Sequence, residues 1–122
     1  MSRLRPIRGK DLIKMTSKAA TTVFGAVVQL HEDVLKRILR KHGELEGMEA
    51  QMLDAIASPD LVLMGHGQEQ LAVKHYKRTS LGAKDMVVVY REDKQLVITA
   101  FLTSDRVRLV KKRSVLWQRQ SK

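Results

Sequence analysis

The sequence predicts an α+β domain in which N-terminal helices pack on an antiparallel sheet of four or more strands. Apolar residues recur at helical spacing over residues 32–57, whereas after Pro59 they alternate with polar residues at a period of two. The connections between the later strand-like segments are short, which is typical of an antiparallel meander. Helices that precede a meander, rather than alternating with its strands, indicate an α+β class.

Two helices are predicted, over residues 32–42 and 45–57. In the first, Val34, Leu35, Ile38 and Leu39 form one apolar stripe, and Gly43 is a plausible C-terminal stop. The second ends at Ser58, because a residue before proline is disfavoured in the α region. Its predicted buried face consists of Leu45, Met48, Met52, Leu53 and Ile56.

The remaining segments are assigned from their periodicity. Met86 to Arg91 is the most apolar run and is predicted to be a central strand. Residues 11–20 are compatible with a short helix, and residues 22–30 with either a first strand or the lead-in to the helix. The other strands are predicted at residues 61–66, 69–77 and 95–103, with a further edge strand at 107–117.

Length and composition limit the classes of protein. The 122 residues suit one domain, and the absence of cysteine excludes disulfides and thiol chemistry. No stretch approaches the roughly 20 apolar residues of a membrane span, and the N-terminus lacks the apolar core of a secretory signal, so we expect a cytoplasmic protein with no membrane partner. Zinc-ligand spacing and Gly-rich phosphate loops are absent, and we expect no metal and no cofactor.

The charge is strongly positive and lies mostly at the two ends. The chain has 23 basic and 13 acidic residues, for a net charge of +10. Six bases fall in residues 1–20 and seven in residues 106–122, so the middle is nearly neutral. This predicts a basic N-terminal arm (1–20), a folded domain (21–105) and a basic C-terminal strand or tail (106–122). Such a distribution favours a phosphate-bearing partner, most simply a nucleic acid, although basic ends can also serve only solubility or form disordered tails.

Several side chains could carry chemistry. His42 lies at the end of the apolar stripe among cations, as either a catalytic group or a helix-ending histidine. Lys74 and Tyr76 share one side of a strand, and Thr99 and Thr103 one side of another. If these sides coincide, they would suit metal-free phosphodiester cleavage, in which the 2′-OH of RNA attacks the phosphate while a base, an acid and a cation assist. The alternative for each is ordinary: a solvated lysine, a half-buried tyrosine and strand-forming threonines.

Five short runs resemble the barnase–EndoU–colicin–RelE superfamily, and most nearly its small phage-associated barnase-like nucleases. These runs are residues 38–42 (ILRKH), 57–62 (ASPDLV), 71–76 (LAVKHY), 87–89 (VVV) and 98–101 (ITAF). The resemblance implies a curved antiparallel sheet and a metal-independent ribonuclease, often toxin-like. It implies that His42 is the acid or base, Lys74 the cation that stabilises the transition state, and Thr99 a positioning hydroxyl.

The resemblance departs from the family pattern at Arg37, where such proteins often have histidine, and Arg37 could bind phosphate instead. The predicted partners are RNA and an acidic antitoxin or immunity protein. Two alternatives stay open: a non-catalytic nucleic-acid-binding module on the same fold, or a protein that binds an acidic partner. The predicted substrate-binding residues are Arg37, Arg40, Lys41, Tyr76, Lys77 and Arg78.

Overall fold

The computed structural model describes residues 17–120. In this part of the chain, seven strands and three α-helices form an α+β domain, which confirms the predicted class. The order is β1 Ser17–Thr21, β2 Val27–His31, α1 Glu32–Lys41, a 3₁₀ turn Gly43–Leu45, α2 Glu49–Ala57, β3 Leu61–Met64, β4 Glu69–Tyr76, β5 Lys84–Arg91, β6 Leu96–Thr103, α3 Arg106–Lys111 and β7 Val115–Gln118.

The prediction that helices come first is wrong, because two strands precede α1. β1 and β2 pair antiparallel across a tight turn in which Gly25 has φ +87°. The Thr22 hydroxyl accepts hydrogen bonds from the backbone N–H groups of Phe24 and Ala26, which fixes this turn. Residues 17–20 of the predicted short helix are therefore strand, and residues 11–16 lie outside the described residues.

The seven strands form one mixed sheet that curls into a half-barrel, in the order β1-β2-β6-β5-β4-β3-β7. All neighbouring strands are antiparallel except β2 and β6, which pair in parallel at Gln29 and Leu96. Strands β3 to β6 form the predicted antiparallel meander, with β5 in the middle. The prediction of a purely antiparallel sheet is wrong at the β2–β6 junction, because β2 enters the sheet beside β6 and continues directly into α1.

The sheet carries a hydrophobic core on each face. On one, which we call the α1/α2 face, Ile38, Met52 and Ile56 pack against β5 residues such as Met86 and Val88. On the other, the α3 face, Leu109 and Val110 of α3 cover residues of β3, β4 and β5. β5 is buried on both faces, as its uninterrupted apolar run predicts.

The sheet extends beyond residues 21–105 at both ends. β1 begins at Ser17, and β7 pairs with β3. The predicted edge strand over 107–117 is a short helix followed by a strand. The carboxylate of Asp105 caps that helix by accepting a hydrogen bond from the Arg108 N–H at 3.1 Å. In residues 17–120, no helix is long and apolar enough to cross a membrane.

Candidate nucleic-acid interface

The C-terminal turn of α1 presents exposed cations. Glu32 and Asp33 lie in the first turn and Arg40 and Lys41 in the last, an arrangement that suits the helix dipole. The helix ends at His42, whose backbone N–H donates to the carbonyl of Ile38 at 2.7 Å. No carboxylate in residues 17–120 forms an ion pair with Arg40 or Lys41. Their charge is therefore available to an anionic partner.

The loop between β4 and β5 adds two further cations beside this helix end. The Ser80 hydroxyl donates to the carbonyl of Glu44 at 2.6 Å, which fixes the loop against the 3₁₀ turn that follows α1. Lys77 and Arg78, at the start of this loop, are exposed and make no ion pair within the described part of the chain. We call the group formed by Arg40, Lys41, Lys77 and Arg78 the basic end.

Arg37 is partly committed to the fold. Beyond the single β2–β6 pair at Leu96, no strand of residues 17–120 lies beside the outer edge of β6, and α1 contacts β6 instead. The Arg37 guanidinium donates to the Ile98 carbonyl at 3.0 Å, which satisfies one backbone acceptor there. Arg37 remains exposed, and Ile98, whose carbonyl it binds, immediately precedes Thr99 on β6. Arg37 thus brings a cation to the edge of the strand that carries Thr99.

His42 approaches the α3 face of the sheet. Its ring centroid lies 6.3 Å from that of Phe101, and its Nδ1 lies 3.6 Å from the Glu44 carboxylate. Phe101 pairs with Val87 and Thr99 with Val89, so both side chains project from the α3 face. The structure thus places the imidazole and the Thr99 hydroxyl toward the same face.

Lys74 lies on the opposite face. It pairs with Met86, a residue of the α1/α2 core, so it cannot share a face with Thr99. Its ammonium lies 2.7 Å from the Asp54 carboxylate of α2, which forms an ion pair with it. The structure does not bring His42, Lys74 and Thr99 into one site, and their catalytic roles stay predictions.

Tyr76 belongs to the same cluster as Lys74. Its hydroxyl donates to the Asp54 carboxylate at 2.5 Å and lies 3.1 Å from the Gln51 carbonyl. Burial raises the pKa of Asp54, but hydrogen bonds from Lys74 and Tyr76 outweigh it and hold that pKa below its usual range. Burial and the Asp54 charge raise the pKa of Tyr76, so its phenol stays protonated. Lys74, Tyr76 and Asp54 thus already satisfy one another's charges and hydrogen bonds, and a structural role is enough to explain their positions.

The sequence interpretation missed an ionic cluster on the α3 face. Asp85 is 7% exposed, and its carboxylate lies 3.2 Å from His75 Nδ1 and 2.8 Å from the Arg106 guanidinium. Arg106 also binds Asp60 at 2.9 Å, and Asp60 accepts a hydrogen bond from the His75 backbone N–H at 2.8 Å. The sequence contained one indication of this cluster, the acid Asp85 at the start of the most apolar strand. A buried carboxylate at such a position needs a cation or a hydrogen-bond donor beside it.

This cluster connects α3 to the sheet. Burial raises the pKa of Asp60, but the hydrogen bonds from Arg106 and the His75 N–H outweigh it, so the pKa lies below its usual range. Burial lowers the pKa of Arg106, and the two carboxylates more than compensate, so it stays cationic. Asp85 also orients the His75 ring, whose side chain is 48% exposed. The main effect of the cluster is to fix the start of α3 against β4 and β5.

The fold and charges define an α+β half-barrel domain with a basic end. No family model matches the chain, and no curated protein or solved structure matches it. The resemblance to the barnase–EndoU–colicin–RelE superfamily therefore stays a prediction from sequence motifs. In the described part of the chain, no group of three or more histidine, aspartate or glutamate side chains could hold a metal ion.

Proposed function

We propose that this protein binds RNA, with the basic end as its principal phosphate contact. The observation that supports this proposal is that the Ser80–Glu44 hydrogen bond joins two segments that each carry two exposed cations. Arg40 and Lys41 end α1, and Lys77 and Arg78 begin the β4–β5 loop. Such cations neutralise backbone phosphates and release condensed counterions on binding.

The groups beside the basic end favour a single-stranded RNA. Phe101 is partly exposed next to His42, and an unpaired base can stack on such rings. Thr99 and Thr103 flank Phe101 on the same face, and their hydroxyls can bond to a ribose 2′-OH. RNA offers all three features together: a phosphate backbone, unstacked bases and the 2′-OH.

Fluorescence anisotropy with a labelled single-stranded RNA of about 12 nucleotides tests the proposal, because single-strand sites span roughly 4–16 nucleotides. We expect the double variants Arg40→Ala/Lys41→Ala and Lys77→Ala/Arg78→Ala each to weaken binding about tenfold or more at about 0.1 M salt. Lys94→Ala is the matched control. Lys94 follows β5 at the end opposite the β4–β5 loop, so it lies about 25 Å from that loop.

The outcomes separate the alternatives. Unchanged affinity in both double variants would remove the basic end from the interface. Equal affinity for RNA and for single-stranded DNA of the same sequence would contradict recognition of the 2′-OH. Tight binding of an acidic protein at salt concentrations that abolish RNA binding would favour the protein-partner alternative.

Metal-independent RNA cleavage is a second candidate function, and the position of His42 favours it. His42 lies toward the face that carries Thr99, with Arg37 at the adjoining strand edge. In the proposed step the 2′-oxygen attacks phosphorus and gives its proton to His42, while the bond from phosphorus to the 5′-oxygen breaks. A general acid protonates that oxygen, leaving a 2′,3′-cyclic phosphate and a 5′-hydroxyl.

Incubation of the protein with RNA in excess EDTA, followed by analysis of product ends, tests cleavage. We expect His42→Ala to lower the single-turnover rate by about 10²- to 10⁴-fold, and Thr99→Val by less, because the hydroxyl carries no charge. Arg37→Ala and Lys74→Ala identify the cation. A loss of about 10²-fold in Lys74→Ala alone would assign that role to Lys74 as the sequence predicts. No cleavage by the wild type, with binding intact, would leave a non-catalytic RNA-binding module.

A further inference from the structure

The cations of the C-terminal segment fall into two groups. Arg106 and Arg119 are turned toward Asp60, and Arg106 also pairs with buried Asp85. These two arginines connect the segment to the sheet. Within residues 17–120 the other four form no ion pair, and the fold does not use their charge. They are Arg108, Lys111, Lys112 and Arg113.

Two surface pockets share two of these unpaired cations. One, of about 330 Å³, is lined by Thr103, Asp105, Arg108 and Leu109 together with Lys112 and Arg113. The other, of about 340 Å³, is lined by Met64, Gly65, His66 and Ser114 together with the same two residues. Lys112 and Arg113 therefore lie between two concavities, so a linear polyanion could contact them while it passes from one concavity to the other.

The turn that carries Lys112 and Arg113 is fixed before any ligand arrives. The Ser114 carbonyl accepts from the Met64 N–H at 2.9 Å, and the Arg113 N–H donates to the Val110 carbonyl at 3.2 Å. Pairing of β7 with β3 begins immediately afterwards, at Val115. Because its backbone is already ordered, this turn pays a smaller entropic cost when it binds.

Among residues 17–120, the linings of the two pockets contain four basic or imidazole side chains and a single carboxylate, that of Asp105. This carboxylate accepts a hydrogen bond from the Arg108 backbone N–H as the helix cap. The local charge therefore favours an anion, and the His66 imidazole adds a hydrogen-bond donor to the lining.

We infer that Arg108, Lys112, Arg113 and His66, which we call the α3 subsite, bind a second stretch of the sugar–phosphate backbone of the same RNA strand. This inference rests on the proposed RNA binding at the basic end. Thr103 connects the two places, because it lines one of the pockets and follows Phe101 by two positions on β6. The strand runs from the basic end past His42 and Phe101, across Thr103, and over the turn after α3.

RNA length separates the α3 subsite from the basic end. The probes are two single-stranded RNAs of about 4 and about 12 nucleotides, the limits of common single-strand site sizes. We expect the wild type to bind the longer RNA at least tenfold more tightly. In Lys112→Ala/Arg113→Ala this gain should disappear, while affinity for the short RNA stays unchanged. Lys94→Ala, the matched control, should keep both affinities, and circular dichroism should show that all variants are folded.

Each remaining outcome is informative. Unchanged affinity of Lys112→Ala/Arg113→Ala for the longer RNA overturns the α3 subsite and leaves the basic end intact. If Arg40→Ala/Lys41→Ala has no effect while Lys112→Ala/Arg113→Ala loses both RNAs, the basic end is wrong and the α3 surface is the main site, not a second one. If inorganic phosphate displaces the longer RNA at concentrations similar to those of the RNA phosphates, the pockets hold single anions and the shared-strand inference fails. If the wild type binds neither RNA, both proposals fall.

Discussion

At Gly65, between β3 and β4, the backbone passes too close to its neighbours for a side chain. A Cβ there would lie 2.7 Å from Leu71 Cδ1, 3.0 Å from Glu69 Cβ and 3.1 Å from the Glu69 carbonyl oxygen. The Glu69 backbone cannot yield easily, because the Gly65 N–H donates to that same carbonyl. We expect Gly65→Ala to lower the free energy of unfolding by about 1–3 kcal/mol in urea titrations.

Gly43 provides the matched control for this substitution. A Cβ at Gly43 would have no atom within 4 Å, and its φ is not in the left-handed region. Gly43→Ala should therefore be neutral or stabilise by up to about 1 kcal/mol, because alanine restricts the unfolded chain. Equal loss of stability in both variants would contradict the close packing assigned to Gly65.

The lowered pKa of Asp60 predicts acid sensitivity. The unfolded carboxyl titrates near a pKa of about 3.9, and the folded one lies lower because Arg106 and the His75 N–H bind its charged form. Its contribution to stability is therefore present above about pH 4 and is lost as the pH falls through the folded pKa. We expect Tm to drop below about pH 4 and Asp60→Asn to lower Tm at neutral pH.

Thermal unfolding of Asp60→Asn over a pH series checks this assignment. The variant should show a shallower acid dependence than the wild type, with a residual slope from Asp54, whose pKa is also lowered. An acid dependence identical to that of the wild type would show that Asp60 is not the group responsible.

Single residues also show why the candidate site was only partly predictable. Alternation correctly placed Lys74 beside Tyr76 and Thr99 beside Thr103. However, it also placed Val97 with Thr99, whereas Val97 packs in the α1/α2 core. The register shift opposite Val89 and Tyr90 breaks the alternation of β6 at this point. The face of the sheet on which Thr99 lies depends on that irregularity, and no residue type in β6 predicts it from the sequence.

At the scale of elements, the sequence predicted best where periodicity is strong. The two helices and the meander from β3 to β6 were predicted within a few residues of their observed bounds. Residues 11–20 were compatible with a short helix because of Leu12, Ile13 and Met15, and residues 17–20 instead belong to β1, whose sequence SKAAT has little β preference. Its strand conformation comes from pairing with β2, a tertiary contact that outweighs local propensity.

Helix α3 depends on its cap. It has six residues, none of them buried, and helices this short are unstable alone. Asp105→Ala should cost about 0.5–2 kcal/mol of unfolding free energy and speed amide exchange in α3. Asp105→Asn removes the same charge but keeps a capping oxygen, so it should stay close to the wild type. If both variants lose stability equally, the charge rather than the cap is responsible.

At the scale of the whole molecule, the C-terminal segment is both part of the fold and part of the charged surface. β7 completes the sheet beside β3, while Arg106 and Arg119 pair with Asp60. Deleting residues 106–122 would therefore remove α3, β7 and three ion pairs along with the surface charge. Substitution of the unpaired cations tests their contribution to binding without this disruption.

The dependence of RNA affinity on salt measures how many phosphates the whole surface neutralises. For single strands the logarithm of the association constant falls with the logarithm of salt concentration with a slope of about −0.7 per phosphate contacted. On the longer RNA, Arg40→Ala/Lys41→Ala and Lys112→Ala/Arg113→Ala should each reduce the slope by about 1.4, and their combination by about 2.8, because the two surfaces contact different phosphates. Lys94→Ala should leave the slope unchanged. A combined variant whose slope equals that of either double variant would show that the two surfaces do not bind one strand together.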